Sequence, residues 1–343
     1  MPLRSRRPAA VLLALLCLPA ALRGESYSVT TFAGTSNVAG GVDGTPGTFN
    51  SPYGLAVDAS RNVVVADTIN NTVRRITPGR AVSTLAGTLA QPGFVDAAGA
   101  AARFNFPVGV AADGAGNVLV ADARTFTVRR VSAAGVVSTY AGAGLQAGTA
   151  DGLAASARFL LPYGVAVDAA GNAYVAEGGS HVIRRISAAG VVTTLAGTAG
   201  AAGSADGTGA AARFNVPWGI AVDAAGTVYV ADSENHVIRR ISAAGVVSTF
   251  AGQSGVTGYA DGPGAVARFQ QPRGLAVDAG GNLFVADHGN HTVAHFGGGG
   301  GGDHRRVSGH HGRRRQRGRG GPFLLSGGGG RGRERGVHRG LRQ

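Results

Sequence analysis

A heptad of the form Pro-x-Gly-apolar-Ala-Val/Ala-Asp recurs five times at an unbroken spacing of 55 residues, and this repeat constrains the fold more than any other feature. Its copies begin at Pro52, Pro107, Pro162, Pro217 and Pro272. Three further runs of β-forming residues follow each heptad in a fixed order, bounded by Gly, Asp, Asn or Pro. The sequence therefore predicts five units of four short strands, and it shows no helical periodicity.

Four antiparallel strands repeated around an axis form the blades of a β-propeller, and closure of the ring protects the strand edges. We expect an all-β fold, a β-propeller of four-stranded antiparallel blades, over residues 27–293. Outer strands with the Val-x-Thr pattern occur five times. Four of them end the first four units, the fifth unit has none of its own, and the remaining copy, residues 29–34, precedes every inner strand. Residues 29–34 are therefore expected to complete the last blade and to close the ring by joining the two ends of the chain.

The residues of the repeat also resemble a known family. The segments Pro-x-Gly-apolar-Ala-Val-Asp, Gly-Asn-apolar-apolar-Val-Ala-Asp and Asn-His-x-Ile-Arg-Arg are similar to the NHL repeat across residues 28–293. The Asn-His pair of that motif stands at Asn235-His236 and at Asn290-His291. This resemblance implies a propeller that usually has six blades, in a family that consists largely of binding scaffolds and includes some enzymes.

The N-terminal segment, residues 1–26, has the pattern of a secretory signal peptide. Basic residues come first, an apolar stretch follows, and small residues lead towards Gly24. The single cysteine, Cys17, lies inside this segment, so the mature chain would contain no disulfide bond. We expect an exported protein that does not stay inserted in a membrane after removal of the signal.

The net charge of +13 comes from the two ends of the chain. Between residues 27 and 293 the arginines and the acidic residues are equal in number, whereas the tail, residues 294–343, is rich in Gly and Arg. Basic character is therefore not a property of the folded body, and we do not expect nucleic acid as a partner.

The tail has two interpretations. In the first it is a disordered segment whose arginines bind polyanions. In the second it is a frameshifted sixth repeat, because Gly and Arg codons read one nucleotide later encode mostly Val, Ala, Asp, Glu or Gly. The shifted frame allows Thr-Thr at positions 303 and 304, where the 55-residue period requires these residues. We favour the frameshifted repeat.

The working face of the propeller is expected at the end that carries the longer loops. In each unit the loop to the next unit and the loop between the second and third strands emerge at this end, and long loops on a rigid scaffold commonly bind ligands. The second heptad residue varies there, and large aromatic or Arg side chains supply much of the energy of binding. The binding-face candidates are Tyr53, Val108, Tyr163, Trp218, Arg273, His181, His236, His288 and His291. The alternative is that the variable residues only cover the inner strands.

Residues that occur once in every unit favour a structural role. They are Asp67, Asp122, Glu177, Asp232 and Asp287, with an Arg pair seven residues later in the first four units. We expect ion pairs or turn hydrogen bonds from them. A second set, nearly all followed by Gly, is interpreted as loop turns: Asp43, Asp96, Asp151, Asp206 and Asp261. Equivalent histidines in neighbouring units lie too far apart to share a metal. We predict neither a metal nor a cofactor.

The function predicted from these features is a secreted, non-catalytic scaffold that recognises a protein or glycan through its long-loop face. The sequence lacks the common motifs of nucleophilic and zinc hydrolases. One alternative is a metal-dependent, lactonase-like propeller hydrolase, and another is polyanion binding by the tail. Two Asn-x-Thr sequons make Asn70 and Asn290 glycosylation candidates, as expected for an exposed secretory surface.

Overall fold

The structure, a computed structural model, describes residues 30–297 and the backbone of residues 304–308. The chain is an all-β, five-blade β-propeller with four-stranded antiparallel blades and almost no helix. Residues 1–29, which include the whole of the expected signal peptide, and residues 298–303 and 309–343 of the tail lie outside the described residues. Within the described part, no helix has the length and apolar character to cross a membrane.

The blades follow one another in chain order. Blade 1 contains β1 (Pro52–Val57), β2 (Val63–Asp67), β3 (Thr72–Ile76) and β4 (Val82–Ala86). Blade 2 contains β5 (Pro107–Ala112), β6 (Val118–Asp122), β7 (Thr127–Val131) and β8 (Val137–Ala141). Blade 3 contains β9 (Gly152–Leu153), β10 (Pro162–Val167), β11 (Ala173–Glu177), β12 (Val182–Ile186) and β13 (Val191–Ala196). Blade 4 contains β14 (Gly207–Thr208), β15 (Pro217–Val222), β16 (Val228–Asp232), β17 (Val237–Ile241) and β18 (Val246–Ala251). Blade 5 contains β19 (Pro272–Val277), β20 (Leu283–Asp287), β21 (Thr292–Phe296) and β22 (His304–Ser308).

Within each blade the strands pair antiparallel in sequence order, and the two-residue strands β9 and β14 add to the outer edges of blades 3 and 4. Tight turns join the first strand to the second at the end opposite the long loops. In blade 3, for example, the Asp168 carboxylate accepts from the backbone N–H of Asn172 at 2.8 Å and from its side-chain amide at 2.8 Å. These Asx-type contacts hold the tight turn in place, and the turn fixes the register in which the first and second strands of the blade pair.

The apolar core lies between the blades. One face of each blade, here called the outgoing face, packs on the incoming face of the next blade. Between blades 1 and 2 the outgoing side chains of Val64 and Val73 meet Phe104, Val110 and Val120, and all five are buried. Burial of this kind contributes about 1.5–3 kcal/mol for each large aliphatic side chain, so the chain gains stability from the interfaces between blades rather than from one central core.

The outer strand of blade 5 differs from the sequence expectation. Residues 29–34 were expected to fill this position, but β22 occupies it, and the described part of residues 29–34 forms no strand. The pairing of β22 also differs from that of the other outer strands. In blade 4, Ile241 pairs with Val247 and a register shift follows, whereas Phe296, the equivalent of Ile241, pairs with His304 in an unbroken register. Since the 55-residue period would place the partner of Phe296 at position 302, the tail joins blade 5 out of phase with the repeat.

Candidate functional site

The five variable heptad residues converge on the propeller axis. Each inner strand begins at its Pro at the long-loop end, and the next residue projects towards the centre from there. All five line one cavity of about 310 Å³. They are Tyr53, Val108, Tyr163, Trp218 and Arg273. The rest of the wall consists largely of the heptad glycines and the apolar residues that follow them, and we call this space the central cavity.

Three of these side chains form a stack. The ring centroids of Tyr163 and Trp218 are 4.1 Å apart at an interplanar angle of 21°, and the guanidinium carbon of Arg273 lies 4.4 Å from the Trp218 ring centroid. Aromatic stacking and cation–π contacts of this type each contribute about 0.5–1.5 kcal/mol beyond the area they bury. The stack therefore holds three half-buried side chains in fixed positions at the mouth of the cavity.

Tyr53 extends this cluster across the axis. The centroid of its ring lies 6.0 Å from that of Trp218 and 6.4 Å from that of Phe106. The guanidinium carbon of Arg124 lies 4.5 Å from the centroid of the Phe106 ring. Tyr53 is 41% exposed, whereas Val108 is buried. The cluster presents aromatic edges and faces beside a guanidinium group, a combination that suits sugar rings, aromatic side chains and acidic groups. Burial raises the pKa of Tyr163, so its hydroxyl stays a neutral donor and acceptor.

The glycine of the heptad allows the inner strands to approach one another this closely. A Cβ on Gly164 would lie 2.4 Å from the carbonyl oxygen of Trp218, and one on Gly109 would lie 2.5 Å from that of Tyr163. Such distances are far below van der Waals contact, so a larger residue would push neighbouring inner strands apart. The Pro-x-Gly pattern therefore fixes both the width of the central cavity and the convergence of the variable residues.

His181 and His236 do not lie in the central cluster. Each has a left-handed backbone conformation before its third strand, and its imidazole Nδ1 accepts a backbone N–H from the next blade. The donors are Val216, at 3.0 Å from His181, and Gln271, at 3.2 Å from His236. Burial lowers the pKa of His181, which keeps Nδ1 available as an acceptor. Asn71 makes the same contact through its side-chain oxygen, so this position links one blade to the next.

His288 and His291 lie in the turn between β20 and β21, and both are exposed. Burial, Arg273 and His291 together lower the pKa of His288, with burial the largest cause. Among the residues that the structure describes, no group of three or more His, Cys, Asp or Glu side chains is placed to hold a metal ion.

The carboxylates that recur in every unit are buried beside the third strand. Glu177 contacts Arg184 at 2.6 Å, and the other guanidinium nitrogen of Arg184 contacts Asp151 at 2.6 Å. Both Glu177 and Arg184 have no exposed side-chain area, whereas that of Asp151 is 46% exposed. The same triad recurs as Asp67–Arg74–Asp43, Asp122–Arg129–Asp96 and Asp232–Arg239–Asp206. In blade 5 the Arg position holds Ala294, and Asp287 accepts from the backbone N–H of Gln270 and from Asn290.

Burial raises the pKa of three of these carboxylates. The pKa of Asp122 rises to about 7 and that of Asp232 to about 6, and that of Glu177 is also raised. Asp122 has the longest inner contact of the four triads, at 3.3 Å from Arg129. The Thr125 hydroxyl, 2.9 Å from the backbone oxygen of Asp122, also acts to lower the pKa of the Asp122 carboxyl, but less than burial raises it. In the equivalent place Asn235 donates to the carboxylate of Asp232 at 2.8 Å.

Two sets of residues in these networks were not recognised as functional from the sequence. One is the second carboxylate of each triad, which was interpreted as a loop turn: Asp151, for example, also accepts from the backbone N–H of Thr194 at 2.9 Å. The other is a phenylalanine beneath each guanidinium group, such as Phe159, 5.1 Å from Arg184. The signal for the second set was the recurrent Ala-Arg-Phe at 55-residue intervals. Three copies end at Phe104, Phe159 and Phe214, which lie beneath guanidinium groups, and a fourth ends at Phe269 in blade 5, which lacks the arginine. In blade 1 the phenylalanine beneath Arg74 is Phe49, which follows Gly-Thr instead of Ala-Arg.

The two sequons lie in the same polar network. The side-chain nitrogen of Asn70 donates to Gly40 and to Asp67, and Asn70 is only 5% exposed. Asn290 donates in the same way to Gly258 and Asp287. A glycan attached to either nitrogen would displace these bonds, so modification would have to precede closure of the turn.

Comparisons with known proteins agree with this architecture. The family described as NHL repeat matches the chain at residues 214–241 and 269–296. Protein SUPPRESSOR OF QUENCHING 1, chloroplastic, from Arabidopsis thaliana is 30% identical over 72% of this chain and 25% of its own length. NHL repeat-containing protein 2 from Homo sapiens is 27% identical over 72% of this chain and 39% of its own length. The chain thus spans between a quarter and two fifths of these curated relatives.

Solved structures show the same fold at low sequence identity. A gluconolactonase from Xanthomonas campestris is 17% identical with a TM-score of 0.53, covering 76% of this chain and 77% of the other. A streptogramin B lyase is 12% identical with a TM-score of 0.51, covering 76% and 69%. A chain of a nidogen/laminin complex is 16% identical with a TM-score of 0.50, covering 73% and 76%. At these identities the likeness extends to the propeller fold alone.

Proposed function

Because this chain belongs to the NHL-repeat family of β-propellers, we propose that it is a non-catalytic scaffold that binds a protein or glycan through its long-loop face. The observation that supports this proposal is the convergence of the variable heptad residues on one cavity. The other heptad positions are nearly the same in all five copies. The side chains that differ between blades are therefore the ones that meet at the propeller axis.

The chemistry of the cluster suits recognition. Trp, Tyr and Arg are the side chains that contribute most to binding energy, and they contribute most when the surrounding scaffold already holds them in place. Trp218 is pinned between Tyr163 and Arg273 on inner strands packed by glycine contacts, so little conformational entropy remains to be lost on binding. A sugar ring or a planar side chain could lie against Tyr53, and an acidic group could pair with Arg273.

Export is part of the same proposal. Residues 1–26 carry the basic, apolar and small-residue order of a secretory signal, and the rest of the chain has no cysteine that an oxidising compartment could pair. A protein or glycan of the cell exterior is therefore the class of ligand we propose. The propeller in the nidogen/laminin structure is an example of this fold in a complex between proteins.

A binding screen with three variants tests the proposal. The full chain would be screened against immobilised glycans and extracellular proteins, and each hit would be measured again with Trp218→Ala and Arg273→Ala. We expect each substitution to weaken binding by about 1.4–3 kcal/mol, or 10- to 100-fold. Arg130→Ala, at an exposed arginine on β7 away from the cavity, should bind as the parent does. Equal binding by all three variants, or turnover of a lactone that Trp218→Ala abolishes, would overturn the proposal.

A further inference from the structure

The central cavity has a polar mouth and an apolar wall. Among the described residues that line it, polar side-chain atoms belong only to Tyr53, Tyr163, Trp218 and Arg273, which are variable heptad residues at the mouth. The other lining residues are apolar or glycine, and no Asp or Glu is among them. The volume of about 310 Å³ lies at the lower end of the range of small-molecule sites, which is about 300–1,000 Å³. The cavity therefore suits a compact group that is largely apolar.

Part of the apolar wall is open to water. Leu55 and Val293 both line the cavity, and they are 67% and 45% exposed. The residues at the position of Leu55 in blades 2, 3 and 4 are nearly buried, and these are Val110, Val165 and Ile220. Water is released when an apolar group covers such a surface, whereas the hydroxyl groups of a sugar would find no partner on it. The wall therefore favours a hydrocarbon group over a sugar ring.

The mouth of the cavity carries a cation that is not neutralised. Among the described residues, the guanidinium group of Arg273 has no carboxylate within ion-pair distance and donates no hydrogen bond. The four triad arginines, by contrast, each contact two carboxylates. Glu234, exposed in the turn between β16 and β17, accepts from the side-chain amide of Gln271 at 3.0 Å. The charge of Arg273 is therefore available to an anionic ligand.

The contact with Trp218 determines which part of this guanidinium group a ligand can reach. Its carbon lies 4.4 Å from the centroid of the indole ring, and Tyr163 stacks on the same indole at 4.1 Å. An arginine held over an aromatic ring keeps its in-plane N–H groups free at the edge, and this fork matches the two oxygens of a carboxylate. The stack therefore presents Arg273 for bidentate binding of a carboxylate.

Arg124 adds a second positive charge near the mouth. Its exposed guanidinium group lies over the ring of Phe106 at 4.5 Å, and it has no carboxylate partner among the described residues. Arg124 and Arg273 both act to lower the pKa of Tyr163, although burial raises that pKa by more. The Tyr163 hydroxyl thus lies in the field of two cations, which also attracts an anion to the mouth.

We propose that the central cavity binds a carboxylate that carries a compact apolar group. The carboxylate pairs with Arg273 at the mouth, and the apolar group covers the exposed side chains of Leu55 and Val293 on the wall. A free organic acid and the C-terminal residue of a polypeptide both present this chemistry. The proposal rests on the proposed binding function and names the group that enters the cavity.

Three related compounds test which features of the ligand are needed. Hydrocinnamate joins a phenyl group to a carboxylate, hydrocinnamamide replaces the carboxylate by a neutral amide, and acetate lacks the apolar group. Binding to the full chain would be measured by calorimetry and by the fluorescence of Trp218, the single tryptophan. Hydrocinnamate should bind saturably and about tenfold or more tightly than either of the other compounds. Binding of acid and amide with equal affinity would overturn the proposal, as would equal binding of acid and acetate.

Variants of the mouth and of the wall locate the site. Arg273→Gln should weaken the binding of hydrocinnamate about tenfold or more and leave that of the amide unchanged. Leu55→Asp, at a side chain whose exposure tolerates the change, places a negative charge on the wall and should abolish binding of the acid. The matched control is Leu153→Asp at a leucine that is 66% exposed on β9, and it should bind as the parent does. Equal binding by the two aspartate variants would contradict the proposal.

His288 provides an independent readout of the carboxylate. After burial, which is the largest cause, Arg273 and His291 also lower the pKa of His288. A carboxylate on Arg273 offsets the charge of the guanidinium group, so the pKa of His288 should rise when hydrocinnamate is bound. NMR titration of the histidine ring protons measures this change, with His181 as the unaffected reference. A saturated complex in which the pKa of His288 is unchanged would place the acid elsewhere and overturn the proposal.

Peptides distinguish the two sources of the carboxylate. A short peptide that ends in phenylalanine would be compared as the free acid and as the amide. Binding of the free acid that is tighter than that of hydrocinnamate identifies a polypeptide C-terminus, and weaker binding identifies a small organic acid. The outcome is also separable from the proposed function. Glycan or protein hits that depend on Trp218, together with equal binding of hydrocinnamate and its amide, would keep that function and overturn this ligand. Binding of hydrocinnamate as expected, without any such hit, would do the reverse.

Discussion

The indole ring of Trp218 lies against the ring of Tyr163 with centroids 4.1 Å apart, although one unit of the repeat separates the two residues in sequence. Equivalent positions of neighbouring blades meet because Gly164 and Gly219 remove the side chains that would hold the inner strands apart. The most variable position of the repeat therefore becomes a set of touching side chains, and four predictions follow from this network and the contacts around it.

Loss of the guanidinium above Trp218 should be visible in the fluorescence of the single tryptophan. In Arg273→Ala the indole loses the cation 4.4 Å from its ring and gains contact with water, so we expect its emission maximum to move to longer wavelength. Emission spectra of the folded variant check this, with Arg130→Ala as the control that leaves the spectrum unchanged. An unchanged spectrum in Arg273→Ala would show that the stack does not persist in solution.

Removal of the arginine from one triad should destabilise the protein strongly. Arg184→Met leaves Glu177 buried without its cation and removes the partner of Asp151, and a broken buried pair costs about 3–5 kcal/mol. Chemical denaturation would measure the loss in free energy of unfolding. Arg185→Met, at the next residue of β12, should cost less than about 1 kcal/mol, because Arg185 is partly exposed and its neutral partners Asn172 and Tyr174 are not left as buried charges when it is removed. The double variant Arg184→Met/Glu177→Gln should recover part of the loss.

The stability of the protein should depend on the ionisation of Asp122. Its pKa is raised to about 7 in the folded state, so the folded chain holds a proton that the unfolded chain has released. The contribution of Asp122 to stability is therefore fully present below about pH 4 and is lost as the pH rises towards about 7.

Thr125→Asn should reduce that loss, because an Asn side chain at this position can donate to the carboxylate as Asn235 does to Asp232. The free energy of unfolding at pH 7.5 is expected to rise by about 1–2 kcal/mol relative to the parent, with little change at pH 4. Thr125→Ser is the matched control that keeps a hydroxyl. An equal gain at both pH values would contradict the electrostatic cause.

The imidazole of His181 should contribute to stability as an acceptor between blades. His181→Ala leaves the backbone N–H of Val216 without its partner and should cost about 1–3 kcal/mol. His181→Asn should preserve most of the stability, since Asn71 already makes this contact in blade 1 and Asn tolerates a φ of +61°.

The same bond has a defined pH dependence. Because the folded-state pKa of His181 is lowered by burial, its contribution is present above the unfolded pKa of about 6.5 and is lost as the pH falls through the folded value. Thermal melts of the parent and His181→Asn between pH 5 and 8 check this. If the two proteins lose stability in parallel on acidification, His181 is not the titrating group.

The sequence predicted the blades well and the connections between them less well. Strand order, the tight turns and the five-fold repetition depend on residues that are close in sequence, so the 55-residue repeat was enough to predict them. The roles of His181 and Asp151 could not be read in the same way, because their partners lie on the next blade or on the other side of a long loop. The spacing of two residues in the sequence does not predict such contacts, because they form only when the blades and their long loops pack together.

Sequence alone determined the all-β architecture, the inner strands and the position at which their side chains vary, because alternating apolar residues and turn residues act over a few positions of the chain. Only the tertiary structure decided that Tyr53 and Trp218, in blades 1 and 4, lie 6.0 Å apart, and that Leu55 and Val293 remain exposed. The physical reason is that both outcomes depend on how neighbouring blades pack, and on which apolar faces find a partner when the ring is assembled.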